Sequence, residues 1–246
     1  MQVDKIIQGD SYELIKKLPD KSIDLIVTDP PYEFTKNKWF SNSERYVSVR
    51  KNLGDEMAES DCDKGVENEM LDQWCRVMKK INIFIWCNKW QLMQYMHYFI
   101  EEKKCNFEIL IWAKNNPIPL CNGMFLHDKE YCLYFWETGA KVNLNTYKNG
   151  KTVFFSSLNQ KDKAKYGHPT IKPLEIIEKL VEIGSERGGV VLDTFLGSGT
   201  TALACKELGR HYIGFEKDAR WVAVARERVE GVIEKKEESY TQNKLF

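Results

Sequence analysis

Two short stretches hold residue types in an order that ordinary loops do not need. VTDPPY places Asp29, Pro30, Pro31 and Tyr32 directly after the apolar run SIDLIVT. Proline after Asp29 disfavours the helical region for that aspartate, and each proline removes a backbone donor. What remains is a stiff loop presenting acceptors and one aromatic ring. Such a surface suits a flat ligand that donates hydrogen bonds from an amine, and adenine or cytosine with its exocyclic amino group meets both requirements. A bare Asp-Pro pair also marks a turn; the whole tetrad at the end of a buried strand points to chemistry.

The second stretch, VVLDTFLGSGTT, sets Gly197 and Gly199 between an apolar strand and a helix start. Glycines there let the backbone approach a ligand closely, and the helix N–H groups favour a carboxylate or phosphate. Seventeen residues after Gly199, Glu216 ends the next apolar run, where a carboxylate can accept from ribose hydroxyls. A P-loop is disfavoured because no Lys follows the glycines. A dinucleotide fingerprint stays open, since GxG followed by an acidic residue is shared with nicotinamide-dependent oxidoreductases.

The elements that must position these loops alternate along the chain. VDKIIQ and SIDLIVTD read as strands around the helix SYELIKKL, and MLDQWCRVMKK as a helix before the buried strand INIFIWC. KWQLMQYMHYFIEEKK follows as a helix. FEILIWAK and EYCLYFWE are strands separated by a loop with Pro117, Pro119 and Gly123. PLEIIEKLVEIGSERGG has Leu174, Ile177, Leu180, Val181 and Gly184 on one helical face and ends at Gly188-Gly189. VVLDTF, TTALACKELG, HYIGFE and DARWVAVARERVEG then read strand, helix, strand, helix. This alternation predicts an α/β fold with a mostly parallel, doubly wound sheet, whose ligands sit beyond the carboxyl ends of the strands near the switch in strand order. The 246 residues read as one domain, with 40–70 a mobile loop insertion and 232–246 a polar, frayed tail.

Composition narrows the function classes. The longest apolar run, INIFIWC, falls far short of the roughly 18 residues a membrane span needs. MQVDKIIQGD lacks the pattern of a secretory signal, and seven scattered cysteines without CxxC pairs favour neither disulfides nor a zinc ribbon. A cytoplasmic setting without metal or membrane is therefore expected. Acidic and basic residues balance at 36 each, so any nucleic-acid contact must come from local segregation. Residues 33–51, which include Lys36 and Lys38, sum to +3. Residues 55–69 sum to −6, and 139–172 to +6 with Tyr147, Phe154, Phe155 and Tyr166 interleaved. Lysines such as Lys148 and Lys151 beside aromatics suit phosphate contact with base stacking, and equally a solvated face.

DPPY at 29–32 together with DTFLGSGTT at 193–201 resembles the amino-methyltransferases of DNA, which use S-adenosylmethionine. The tetrad first and the glycine loop last resembles the circularly permuted β group of that family. HPTIKP, His168 to Pro173, resembles its remaining cofactor motif, and Gly9-Asp10 falls before the first helix. The resemblance covers most of the chain except 40–70 and 139–165.

The resemblance implies a Rossmann-like fold and methylation of an exocyclic amine in double-stranded DNA after base flipping. Asp29 and the Pro30 carbonyl would accept from the amine, and Tyr32 would stack on the base. Phe195, Gly197, Gly199 and Thr200 would wrap the methionine end of the cofactor, with Asp193 nearby. Glu216 would bind the ribose hydroxyls, Asp10 the adenine amino group, and Thr170 and Lys172, after His168, the methionine carboxylate. Asp10 also reads as a helix N-cap, Lys172 as a surface lysine and His168 as a turn residue. Target recognition would fall in the short segment 139–167. Asp at the first tetrad position resembles the adenine-N6 enzymes, and Ser there is commoner in the cytosine-N4 ones. An oxidoreductase would leave DPPY and HPTIKP idle, and a silent DNA-binding module would not need the tetrad. Dimers are common in the β group, and the aromatic helix 89–104 suits an interface or the core.

Overall fold

Consecutive apolar residues in a strand face opposite sides, so LIVT and NIFIWC require cover on both faces of their sheet. The computed structural model describes residues 1–32, 65–117, 125–157, 164–168 and 170–242. Its strands are β1 (Lys5–Gln8), β2 (Leu25–Thr28), β3 (Asn82–Cys87), β4 (Asn106–Lys114), β5 (Lys129–Trp136), β6 (Val153–Ser156), β7 (Val190–Asp193) and β8 (His211–Glu216). They form one sheet in the order β1-β8-β7-β2-β3-β5-β4-β6. All neighbouring pairs are parallel except those of β5, which runs antiparallel to β3 and β4.

The helices are α1 (Ser11–Ile15), α2 (Asn68–Val77), α3 (Leu92–Met96, continued by a π-helical turn over His97–Glu102), α4 (Leu174–Gly184), α5 (Thr200–Leu208) and α6 (Ala219–Gln242). Ile26, Ile83 and Ile85 face a core built from α1, α2 and α3, with Trp74, Tyr95 and Phe99 at its centre. Leu25, Val27, Phe84 and Trp86 face the other way, onto Ile177 and Leu180 of α4 and Ala204 of α5. The alternation along β2 and β3 thus divides one apolar run between two cores. A third cluster joins Ile6, Leu196, Leu203, Val222 and Ala225, seating α6 beside β1 and α5.

Some expectations change in detail. The segment 139–167 contains β6, an edge strand unread in the sequence because its apolar run is only three residues long. The aromatic residues of the 89–104 helix that are fully packed, Tyr95, Tyr98 and Phe99, belong to the core, leaving Trp90 and Met93 exposed. The helix α6 stays helical past Val232, where the tail was expected to begin. Of the expected loop insertion 40–70, residues through 64 lie outside the described residues, and α2 already starts at Asn68. No helix among the described residues is long and apolar enough to cross a membrane.

Candidate active site

From β2 the chain continues rightward in the sheet to β3, and from β7 leftward to β8, so the order switches between the adjacent strands β2 and β7. Both loops singled out in the sequence leave the carboxyl ends of these two strands, where an open α/β sheet forms its crevice. They are joined below the crevice. The Thr28 hydroxyl donates to Asp193 Oδ1 at 3.0 Å and lies 3.2 Å from the Thr194 hydroxyl, which also accepts from the Trp74 indole at 3.2 Å.

Asp193 accepts further from the Thr201 hydroxyl at 2.7 Å and from the Phe195 amide at 3.1 Å. Burial raises its carboxyl to about 6 against these bonds. Its oxygens therefore organise the loop. Gly197 and Gly199 adopt φ of 53° and 82°, in the left-handed region. A Cβ on Gly197 would stand 2.9 Å from His168 Nε2 and one on Gly199 2.8 Å from the Ala225 Cβ. Gly199→Ala is thus expected to cost about 2–4 kcal/mol, combining left-handed strain with a clash against α6. Urea unfolding checks this, and a loss under about 1 kcal/mol would mean that α6 yields freely.

Glu216, at the end of β8, accepts from the Gly197 amide and the Asp218 amide, each at 2.8 Å. Burial raises its carboxyl above the ordinary value. Asp10 caps α1 by accepting from the Tyr12 amide at 2.9 Å, and its other oxygen lies 3.8 Å from Lys217. The Ser11 hydroxyl donates to the Thr194 carbonyl, holding the start of α1 against the loop. His168 packs edge-on against Trp221 at 4.4 Å, and its Nδ1 accepts from the Thr170 amide at 3.3 Å. Asp10, Glu216, Phe195, Gly197 and His168 therefore surround one region. The Thr200 hydroxyl is buried and accepts from Arg228 at 2.8 Å, so it braces α5 against α6. That hydroxyl is thus taken up within the protein, and only the backbone of Thr200 at the helix start is left for the wrapping role expected of it.

Lys172 is the main revision. The sequence directed it to the cofactor loop or to the surface; the structure buries it at 6% exposure against the tetrad. Its ammonium pairs with Asp29 Oδ2, lies 3.1 Å from Glu130 Oε2, and stands 5.1 Å from the Trp86 ring centre. Burial favours the neutral amine, but the two carboxylates outweigh it and hold Lys172 above its ordinary value. Glu130 is opposed by its own burial and pulled down to about 2 by Lys172 and by Lys114, whose Nζ is 2.6 Å from Oε1. Asp29 goes the other way: burial raises its carboxyl, against the attraction of Lys172. Tyr32 donates to Glu130 Oε2 at 3.4 Å, and burial, then the charges of Asp29 and Glu130, raise its phenol.

Pro30 is buried and the Pro31 carbonyl accepts from Gln91 at 3.0 Å, which fixes the tetrad to the loop after β3. Asp29 Oδ1 is buried with no hydrogen-bond partner among the described residues, an acceptor left for something else. The tetrad, its lysine and Glu130 can therefore receive a donor in a water-poor setting.

Glu130 was not singled out from the sequence. The rule that ligands meet the carboxyl ends of strands passes over it, because it lies near the amino end of the antiparallel β5. The signal was there: FEILIWAK and EYCLYFWE have no helix between them, so they must run antiparallel. That pairs Glu130 with Trp112, near Lys114 at the end of β4.

Lys148 and Lys151 stand on the exposed segment before β6, with Lys151 5.0 Å from the ring centre of Tyr147. Lys36 and Lys38 lie outside the described residues. Among the described residues no group of three or more His, Cys, Asp or Glu is placed to hold a metal ion. Burial raises the thiols of Cys75 to about 11 and Cys105 to about 12, and those of Cys87, Cys132 and Cys205 further, so none is primed as a nucleophile.

A family described as DNA methylase matches residues 23–227. The type II methyltransferase M2.DpnII of Streptococcus pneumoniae is 31% identical over 244 residues, covering 92% of this chain and 89% of its own. The type II methyltransferase M.HinfI of Haemophilus influenzae is 31% identical over 255 residues, covering 91% and 67%. Among solved structures, the M1.HpyAVI-SAM complex superposes with a TM-score of 0.63 at 27% identity, covering 92% of this chain and 98% of its own. The cytosine-N4-specific PvuII DNA methyltransferase superposes at 0.67 with 18% identity, covering 91% and 85%, a likeness of fold. The match reaches from the strand before the tetrad, through the glycine loop, into the last helix, and on that ground this protein belongs to the DNA methylase family, in the motif order of its β group of amino-methyltransferases.

Proposed function

We propose that this protein methylates the exocyclic N6 amino group of adenine in double-stranded DNA, using S-adenosylmethionine and flipping the target base out of the helix. The observation that carries this reading is the buried Oδ1 of Asp29, unpartnered among the described residues, in a loop whose prolines offer no N–H. That atom is an acceptor waiting for a donor, and an amine on a flat base is a donor of the right kind.

The region around Gly197 suits the cofactor by the chemistry of its donor set. Close backbone approach is open at Gly197, where a side chain would meet His168. Carboxylates stand at the ends of β1 and β8 in Asp10 and Glu216, as hydroxyls and an adenine amine need, and the start of α5 offers N–H groups to a carboxylate. Phe195, half-buried, offers an apolar wall. When bound, S-adenosylmethionine supplies a methyl group already activated on a sulfonium sulfur.

The chain's own residues do the rest. An aromatic amine is a poor nucleophile because its lone pair is delocalised into the ring, so acceptors on its N–H groups help to localise that pair. Asp29 accepts from the amine together with the Pro30 carbonyl, and its charge stabilises the positive charge that grows on nitrogen. Deprotonation can follow the transfer. Tyr32 stacks on the base and fixes its plane, and such positioning is worth roughly 7–11 kcal/mol of the barrier.

Flipping costs a few kcal/mol in unstacking, which contacts to the backbone must offset. Tyr147 and Phe155 are 86% and 73% exposed beside Lys148 and Lys151, so the segment 139–167 carries rings and charges in the combination that grips nucleic acid. Replacing Lys148 and Lys151 together by alanine is expected to weaken DNA binding and to flatten its dependence on log salt by up to about two. An unchanged slope would remove this segment from the interface.

Asp at the first tetrad position supports adenine over cytosine, although a carboxylate accepts from either amine. Digestion of DNA to nucleosides after incubation with methyl-labelled S-adenosylmethionine, followed by mass identification, tests the reading. Labelled N6-methyldeoxyadenosine is expected. N4-methyldeoxycytidine would keep the mechanism and overturn the base, and no label on several DNAs would point to a silent binding module.

A further inference from the structure

Asp29, Glu130 and Lys172 come from chain positions far apart, yet one ammonium touches both carboxylates. Lys114 closes the row at the far side of Glu130, so two acids and two lysines alternate along it. A target amine that donates to the free Oδ1 meets a carboxylate whose charge is already held by Lys172 on Oδ2. Stripping an ammonium from a buried carboxylate is prohibitive unless a second anion receives it. Glu130 Oε2 stands at 3.1 Å on the other side, so a small movement of Nζ suffices.

We propose that Glu130 is a positioning residue for methyl transfer: it receives the Lys172 ammonium when the target amine arrives at Oδ1, releasing the charge of Asp29 to act on that amine. This rests on reading Asp29 as the acceptor of the target amine. Lys114 limits how strongly Glu130 pulls, because it shares the same carboxylate. Tyr32 reports on the shift, since its hydroxyl lies 3.4 Å from Glu130 Oε2 and 3.5 Å from Lys172 Nζ.

The signs of the expected effects follow from the groups around Asp29. These are Lys172, Glu130 and Tyr32, with Cys87 and Cys132 on the neighbouring strands and Asp193 behind. Asp29 must be ionised to act, so the rate falls as pH drops through its titration. The negative charge of Glu130 raises the Asp29 carboxyl. In Glu130→Gln that charge is gone and Lys172 closes fully on Asp29, so the acid limb moves to lower pH. In Lys114→Met the charge of Glu130 is less neutralised, so the acid limb moves to higher pH.

The test measures single-turnover methylation of unmethylated genomic DNA against pH, with saturating methyl-labelled S-adenosylmethionine, for wild type, Glu130→Gln, Lys114→Met and Asp29→Asn. Glu130→Gln is expected to lose at least about tenfold in rate, with affinity for S-adenosylhomocysteine within about twofold. Its acid limb and that of Lys114→Met should move in opposite directions. A Glu130 that merely supported the fold or shifted the titration of Asp29 would leave the rate of Glu130→Gln on the pH plateau near that of wild type, which overturns the proposal. Should Glu130→Gln fail to fold, the limb of Lys114→Met decides: unmoved or lowered, it overturns the proposal. Near wild-type activity in Asp29→Asn would instead overturn the reading of the site itself, whereas a dead Asp29→Asn beside an unaffected Glu130→Gln removes only the role of Glu130.

Discussion

Replacing Asp29 by alanine is expected to lower methyl transfer by at least about a thousandfold, equivalent to about 4 kcal/mol of transition-state stabilisation. The fold should survive. Lys172 keeps Glu130 as a partner when Asp29 is removed, so no buried charge is left alone. The proposed cofactor region, around Asp10, Glu216 and the Gly197 loop, lies on other strands, so thermal stabilisation by S-adenosylhomocysteine should persist with affinity changed no more than a few-fold. Full activity in this variant would refute Asp29 as the acceptor of the amine.

Lys172→Met is expected to have the largest effect on stability, about 3–5 kcal/mol, because Asp29 and Glu130 then face each other without the cation between them. Its pH dependence has a definite sign. With the cation gone, the Asp29 carboxyl, already raised by burial, titrates higher still in the folded protein than in the unfolded chain, while Glu130 keeps Lys114, so the folded state binds a proton more readily. Stability of the variant is therefore retained at acid pH and lost as pH rises through the raised Asp29 carboxyl. Urea unfolding of both proteins at mildly acidic and mildly basic pH checks this: the deficit should narrow on the acid side. A deficit below about 1 kcal/mol at every pH would show that the site tolerates Asp29 without its cation.

The contrast between Lys172 and Asp29 shows what the sequence could express. A loop that follows a buried strand announces itself by proline, glycine and chain position, and so DPPY and DTFLGSGTT were legible together with the strands that carry them. The direction of a long side chain is not local information. Lys172 follows His168 and Thr170 in one motif, yet four methylenes carry its charge to the other side of the crevice, where two carboxylates outbid any other partner. Asp193, Thr200 and Glu216 stand at or beside the glycine loop, but which of their oxygens the protein itself occupies depends on Thr201, Arg228 and the Gly197 amide. Strand order was legible as a class, since alternation implies parallel pairing; the reversed β5 was the exception, and Glu130 went unseen with it. β6 was missed because its apolar run, Val153 to Phe155, is only three residues long and sits among polar ones.

The central strand β2 has one partner that is made early and one that is made late. β3 begins at Asn82, whereas β7 does not begin until Val190. At roughly 5–20 residues per second, a ribosome takes on the order of 5–20 s to cover the stretch between them. For that interval the free edge of LIVT is an apolar template open to any other strand nearby. β1 waits longer still, because its neighbour among the described strands is β8. A message broken between these strands would release half a sheet with its most buried strand uncovered, prone to aggregate. The crevice is equally late: it has no second wall until translation has passed Glu216, so a nascent chain has nowhere to hold a ligand that would steady it while it waits.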